Sequence, residues 1–331
     1  MPRVSYALMT APGLFDRRVL LVSGKGGTGK TTVACACAMA GARSGRRVLL
    51  VEVEGRDGPA RLLGLSAPGF SERDTPFGFR LLSITPREAL LEYLWLFFRM
   101  RALAWTLRSA RVVEVATEAI PGFRDLMSAG KLYELTEWRD RASGARREAR
   151  RRLYDLVVVD APPTGQLVPF LRGPSAFRDL IRVGRPHRQL AFIDRLLRER
   201  SRLVLVATPN EMAVAETLDT AEQLRKERLE LAAVVANQVR PPVYPRGTRA
   251  AARRLPAARL AQLATGGSVR ARPDLGEELL AAAAFEEERI RSQRRHLRRL
   301  HATGPVVELP FLYTTTFGPR EVAELAAALA A

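Results

Sequence analysis

The stretch Gly24-Lys25-Gly26-Gly27-Thr28-Gly29-Lys30-Thr31-Thr32 constrains this chain more than any other. It follows the apolar run Val19-Leu20-Leu21-Val22 and leads into Val33 to Ala42, so a strand, a glycine-rich loop and a helix are expected in that order. The spacing fits the phosphate-loop pattern G-x-x-x-x-G-K-[ST]. Glycines let the backbone turn tightly, so that N–H groups at a helix N-terminus point at an anion. Gly26, Gly27, Thr28 and Gly29 are the expected cradle. Lys30 is placed to reach the β- and γ-phosphates and the Thr31 hydroxyl to ligate Mg²⁺, with Thr32 completing the stretch.

Composition sets the outer bounds. A chain of 331 residues with 47% hydrophobic content can bury a large core, which predicts one domain over 1–331, with any further helices inserted into it. No run approaches the ~18 uninterrupted apolar residues of a membrane span. Met1 to Phe15 lack a basic region followed by a long apolar core, so a cytoplasmic location is expected. The two cysteines, Cys35 and Cys37, fall on the helix after the loop, about 200° apart around it, and are read as small apolar packing groups. The formal net charge is +18, and only four of the 53 basic residues are lysines. A basic surface favours an anionic membrane face or nucleic acid over basic ligands.

A second lysine, Lys25, stands at the front of the loop, where ordinary phosphate loops need none. In this the loop resembles the deviant Walker A group, which includes ArsA, the guided-entry ATPases for tail-anchored proteins, MinD and ParA. That resemblance implies an ATP-dependent dimer in which Lys25 reaches the nucleotide of the partner. Strand Arg47 to Val51 closes on Glu52-Val53-Glu54-Gly55-Arg56-Asp57-Gly58, beyond the carboxyl end of a strand, where catalytic groups of doubly wound sheets lie. The ArsA and guided-entry family carries Ser-Thr-Asp-Pro there. Alignment by spacing puts Glu54 on the aspartate that orients the attacking water, with Asp57 as the alternative.

Tyr154 to Asp160 is an apolar strand closing on an acid, so Asp160 is the second candidate for the Mg²⁺ shell. The continuation Ala161-Pro162-Pro163-Thr164-Gly165-Gln166 resembles the family's Asp-x-Ala-Pro-Thr-Gly switch loop, which implies that Gly165 lies near the γ-phosphate. Strands Leu203 to Ala207 and Leu231 to Ala236 follow. The resemblance makes Asn237 the adenine contact, and Pro310 with Phe311, in the exit loop of the last strand read over Val306 to Phe311, weaker candidates for the same base.

The helical pattern from Pro86 to Glu114 carries Leu90, Leu91, Leu94, Trp95, Phe97 and Phe98. Ile120-Pro121-Gly122-Phe123 is similar to a Pro-Gly motif that opens a helix of the family's insertion, and Arg139 to Arg152 hold seven arginines in fourteen residues. Residues 245 to 273 read as a mobile or loosely helical connection. Asp274 to Ala302 read as a helix whose start Asp274 and Glu277 cap, and Pro319 to Ala331 as a short final helix.

The resemblance therefore implies a three-layer α/β P-loop NTPase with a mostly parallel sheet and a helical insertion over 86–150. The implied function is a dimeric Mg²⁺-dependent ATPase, homodimeric or paired with a paralogue, that couples hydrolysis to movement of the insertion for an unknown protein client. The insertion has no cysteine, which argues against arsenite as cargo. The alternative is a ParA/MinD-like positioning ATPase on DNA or an anionic membrane surface. An apolar insertion disfavours nucleic acid as partner.

Overall fold

A computed structural model describes residues 13–98, 122–138, 153–245, 247–266 and 274–330. Eight strands form one sheet: β1 (Val19–Gly24), β2 (Val48–Glu52), β3 (Arg73–Asp74), β4 (Arg80–Ser83), β5 (Leu156–Asp160), β6 (Ser201–Ala207), β7 (Leu231–Val239) and β8 (Val306–Pro310). Their order across the sheet is β3-β4-β2-β5-β1-β6-β7-β8. Only β3 runs antiparallel to its neighbour. The central strands are continuous aliphatic runs, as expected of parallel strands covered on both faces. Leu20, Val22, Leu50 and Val158 point into one core, and Val19, Leu21, Val51 and Val159 into the other.

The helices are α1 (Lys30–Arg43), α2 (Gly58–Leu62), α3 (Pro86–Phe98), α4 (Phe123–Tyr133, extended by a π turn over Glu134–Trp138), α5 (Thr164–Leu180), α6 (Gly184–Glu199), α7 (Glu211–Lys226), α8 (Thr248–Ala252), α9 (Ala257–Ala264), α10 (Leu275–His301) and α11 (Pro319–Ala330). One face of the sheet is covered by α1 and α11. Ala34 to Ala38 of α1 are fully buried, so their small side chains let α11 approach with Val322, Leu325 and Leu329. Burial of each large aliphatic side chain stabilises by about 1.5–3 kcal/mol, so Leu325→Asp would detach this helix. Cys35 and Cys37 lie in the same layer as free thiols, and burial pushes the Cys37 thiol up to about 12. Packing is their role, as expected.

The other face is covered by α5, α6 and α7, through Leu167, Phe170, Ile193, Leu197, Val214 and Leu224. On α5 and α6 stands α4, and α3 packs on α4; these are the described parts of the expected insertion. Gly122 opens α4, as the Pro-Gly motif implies. Lys131 on α4 is buried against Glu92 of α3 and lies 2.8 Å from Glu134, with its ammonium 4.6 Å from the Phe70 ring centroid. A buried charge so paired is expensive to break, which fixes how α3 meets α4. The side chains of Leu94, Trp95, Phe97 and Phe98, the helical pattern from Arg99 to Glu114, and the arginine run from Arg139 to Arg152 lie outside the described residues.

Three expectations need correction. Within 245–273, the described residues are not a loose connection throughout: α9 packs on α10 so closely that a Cβ at Gly276 would stand 2.1 Å from the Ala257 carbonyl oxygen. Asp274 occupies the N-cap of α10 without a side-chain capping hydrogen bond, because its backbone is already helical. The segment after β5 is also shorter than the motif implies. Helix α5 begins at Thr164, so Gly165 and Gln166 lie in its first turn rather than in a loop. No described helix is long and apolar enough to cross a membrane.

Candidate active site

The site forms where β1, β2, β5 and β6 end together at their carboxyl edge. Gly24 closes β1 so near β6 that a Cβ would meet the Val206 carbonyl oxygen at 2.2 Å. The loop then turns on itself. The backbone N–H of Thr28 donates to the Lys25 carbonyl at 3.3 Å, and its hydroxyl donates to the same oxygen at 2.8 Å. Gly29, the N-cap of α1, has φ of 91° and no side chain caps the helix. The first-turn N–H groups of α1 are thereby presented to an anion, reinforced by the helix dipole. Lys30 is the first residue of α1, with Thr31 and Thr32 following in its first turn.

Thr31 donates from Oγ1 to Oδ2 of Asp160 at 2.7 Å. Burial pushes the Asp160 carboxyl up to about 7, with Glu52 and Glu54 acting in the same direction, against the Thr31 hydrogen bond and the Lys30 charge. Its second oxygen, Oδ1, is buried without a hydrogen-bond partner. A buried carboxylate oxygen left unpaired is costly unless it serves a ligand. The Thr31 hydroxyl and the Asp160 carboxylate are hard oxygen donors of the kind Mg²⁺ takes when phosphates and water supply the rest, so the residues present fit that ion. Among the described residues no group of three or more His, Cys, Asp or Glu is arranged to hold a metal.

The three acids after β2 separate in the structure. Glu52, absent from the candidates, is buried and accepts from Arg56 N at 2.8 Å, Asp57 N at 3.3 Å and Ser83 Oγ at 2.5 Å. It is a brace for the loop. Glu54 is about a quarter exposed, its carboxylate 3.8 Å from the Arg56 guanidinium, and its charge is felt at Asp160. Asp57 has φ of 52° and starts α2. The next residue, Gly58, stands against Thr31, since a Cβ there would lie 3.4 Å from Thr31 Cγ2. The charge of Glu54 and the residue after Asp57 thus reach the Thr31–Asp160 pair.

Lys25 forms an ion pair with Glu216 of α7 at 2.8 Å, and Glu216 also accepts from the Thr164 hydroxyl. No motif marks Glu216. Its sequence signal is only that of an acid in the second turn of a helix that follows a central strand.

At the other end of the site, Asn237 is buried within β7. Its Nδ2 donates to the Thr28 carbonyl at 2.9 Å and its Oδ1 accepts from Gln238 N at 2.9 Å. The side chain expected at a base thus braces the phosphate loop from below. Gln238, next in line, takes φ of 60°. Pro310 pairs with Val239 in the sheet. Phe311 offers its face to the Arg240 guanidinium, 4.5 Å from the ring centroid, and meets Tyr313 edge-on. Beside Arg240 a polar cleft of about 470 Å³ opens among Thr208, Asn210, Gln238, Arg289 and His296.

A central parallel sheet, a glycine-rich loop feeding a helix, and a buried carboxylate beside the first-turn threonine define a P-loop nucleotide-binding protein of the α/β class. The chain belongs to the CobQ/CobB/MinD/ParA nucleotide-binding-domain family, which matches residues 19–279. It is 37% identical over 227 residues to the ATPase BagA of Mycobacterium tuberculosis, covering 67% of this chain and 65% of that protein. It is 26% identical over 245 residues to an arsenical pump-driving ATPase of Acidiphilium multivorum, covering 67% of this chain and 39% of the relative. An arsenical pump-driving ATPase of Escherichia coli is 25% identical over 245 residues, with the same coverage. The chain thus spans 65% or less of the length of these relatives. The resemblance carried by the motifs is borne out at the level of the family.

Proposed function

We propose that this chain is a Mg²⁺-dependent ATPase of the ArsA-like type, acting as a dimer. The observation that supports this best is the Thr31–Asp160 pair beside the uncapped start of α1, with one Asp160 oxygen buried and unpaired. Mg²⁺, when bound, supplies charge that offsets the β- and γ-phosphates and fixes their geometry. The Thr31 hydroxyl and Asp160 hold it. Lys30 and the loop N–H groups bind the phosphates, and Glu54 or Asp57 orients the attacking water. Lys25 of each subunit supplies positive charge to the partner's nucleotide, comparable in kind to an arginine finger. Gln238, Arg240 and Phe311 offer a surface for the base, with Asn237 behind the loop.

Hydrolysis is read out through Asp160 to Thr164, because α5 starts at Thr164 and packs against α4 and α6. A shift of α5 would move the base of the insertion, and the client engaged there is a protein. The names of the relatives, an ATPase and an arsenical pump-driving ATPase, accord with energy transduction rather than with a biosynthetic reaction.

Two variants and one mixture test the reading. Lys30→Ala and Thr31→Ala should each abolish Mg·ATP binding or hydrolysis, followed by calorimetry and phosphate release. Near-normal turnover in both would refute the assignment. Lys25→Ala subunits should still bind ATP through Lys30, so mixing them with Lys30→Ala subunits should restore partial turnover at the one site that has both lysines. If the chain pairs with a paralogue, the mixture is made with that pair.

A further inference from the structure

The front lysine of the loop is held by its own subunit. Lys25 Nζ lies 2.8 Å from Oε2 of Glu216, while Oε1 of the same carboxylate accepts from the Thr164 hydroxyl. Glu216 belongs to α7, and Thr164 is the first residue of α5 after the β5 exit. A single carboxylate therefore bridges the phosphate loop and the segment behind Asp160. The same segment is tied to the end of β1 by the hydrogen bond that Ser23 Oγ donates to the Pro162 carbonyl at 2.5 Å. Burial acts to raise the Glu216 carboxyl, but hydrogen bonds from Lys25 and Thr164 and the charges of Lys25 and Lys30 outweigh it and hold the group below its ordinary value.

We infer that Glu216 is a positioning residue that keeps Lys25 in cis in the resting subunit and has to release it before Lys25 can serve a phosphate across a dimer. The inference rests on the dimeric reading above and adds a regulated step to it. A lysine presents a point charge on one flexible stem, so an ammonium satisfied by Glu216 is withdrawn from a partner. A polyphosphate carries more charge than one carboxylate and draws the ammonium away once closure excludes water between them. Release at Lys25 also loosens the opposite oxygen's hold on Thr164. The start of α5 thereby responds to whether Lys25 is engaged in cis or in trans.

The pair is about one third exposed on each side. For an ion pair so screened, releasing it should tighten self-association by roughly twofold to fivefold. The chain has only four lysines, Lys25, Lys30, Lys131 and Lys226, so their side-chain signals are separable by NMR of lysine-labelled protein. In nucleotide-free protein, Glu216→Gln should move the Lys25 signal and leave those of Lys131 and Lys226 in place. In sedimentation with Mg²⁺ and a non-hydrolysable ATP analogue, Glu216→Gln should tighten dimerisation by that factor, and Lys25→Ala should cancel the gain. Glu216→Asp, which keeps the charge on a shorter stem, should fall between Glu216→Gln and the native chain. A Lys25 signal indifferent to Glu216→Gln overturns the latch, as does a gain that persists with Lys25→Ala. If the signal responds but Lys25→Ala alone dimerises as the native chain does, the cis contact stands and the role of Lys25 across the interface fails.

Discussion

Asp160→Asn should stabilise the nucleotide-free protein at neutral and higher pH while removing its response to Mg·ATP. The Asp160 carboxyl is raised from 3.8 to about 7, chiefly by burial. At about 1.4 kcal/mol per pH unit, that shift is a penalty of about 4 kcal/mol on the ionised native state, taken as an upper bound. The sign follows from proton counts. Between the unfolded and folded values the native state binds more protons than the unfolded chain, so stability falls as pH rises through this window. Below about pH 4 both states are protonated, the penalty vanishes, and above about pH 7 it is present in full. Asparagine carries no charge and keeps a carbonyl oxygen for the Thr31 hydroxyl. Its advantage should therefore grow by about 3 kcal/mol between about pH 5 and about pH 8. Urea unfolding of both proteins at the two pH values measures it, and the three histidines cancel in the difference. With Mg²⁺ and ATP added, the native protein should gain stability and the variant should not. A variant that is equally or less favoured at the higher pH would refute the account of Asp160 as a carboxyl whose ionisation is penalised by burial until a cation binds.

Glu54→Gln and Asp57→Asn separate the two candidates for orienting water: the residue with that role should lose hydrolysis, by phosphate release, while keeping ATP affinity. Loss in neither would remove both from the mechanism. Gly29→Ala should abolish nucleotide binding and destabilise the fold by about 1–3 kcal/mol, because a Cβ would lie 2.3 Å from Asn237 Nδ2 at a φ of 91°. Fluorescent-nucleotide titration and thermal unfolding measure the two effects.

The parts of the site legible in the sequence are those whose residues lie close together in the chain. Gly24 to Thr32 and the strand ending in Asp160 are dense local patterns, and the structure joins them through Thr31. Glu216 is 191 residues from Lys25 and reaches it only because β6 lies beside β1. No local pattern could disclose that. Glu52 is hidden differently: spacing alone cannot tell an acid facing inward to three donors from Glu54 beside it. Between Gln166 and Leu203 no element is legible, although α5 and α6 occupy most of it. Pro169 and Pro174 lie inside α5, where they break the pattern by which a helix is read. Strand β3 is two exposed residues and has no apolar run to betray it.

The strength of the Lys25–Glu216 contact also limits what it can do. Moving a two-state subunit from 1:99 to 99:1 takes about 5.5 kcal/mol of differential interaction. An ion pair a third exposed on both sides contributes at most about 1 kcal/mol after solvent screening, and the Thr164 hydrogen bond adds about 1 more. On the proposed reading, Glu216 can therefore set the threshold of a nucleotide switch but not drive it. The larger share has to come from groups that are buried and unsatisfied in the resting state. Asp160 is the clearest of these, with a penalty of up to about 4 kcal/mol that the proposed cation would remove. Its backbone leads through Pro162 and Pro163 directly into α5. The group with the most free energy to release thus lies four residues from the helix that meets α4 and α6. A loop stiffened by two prolines passes on displacement with little lost to its own flexibility.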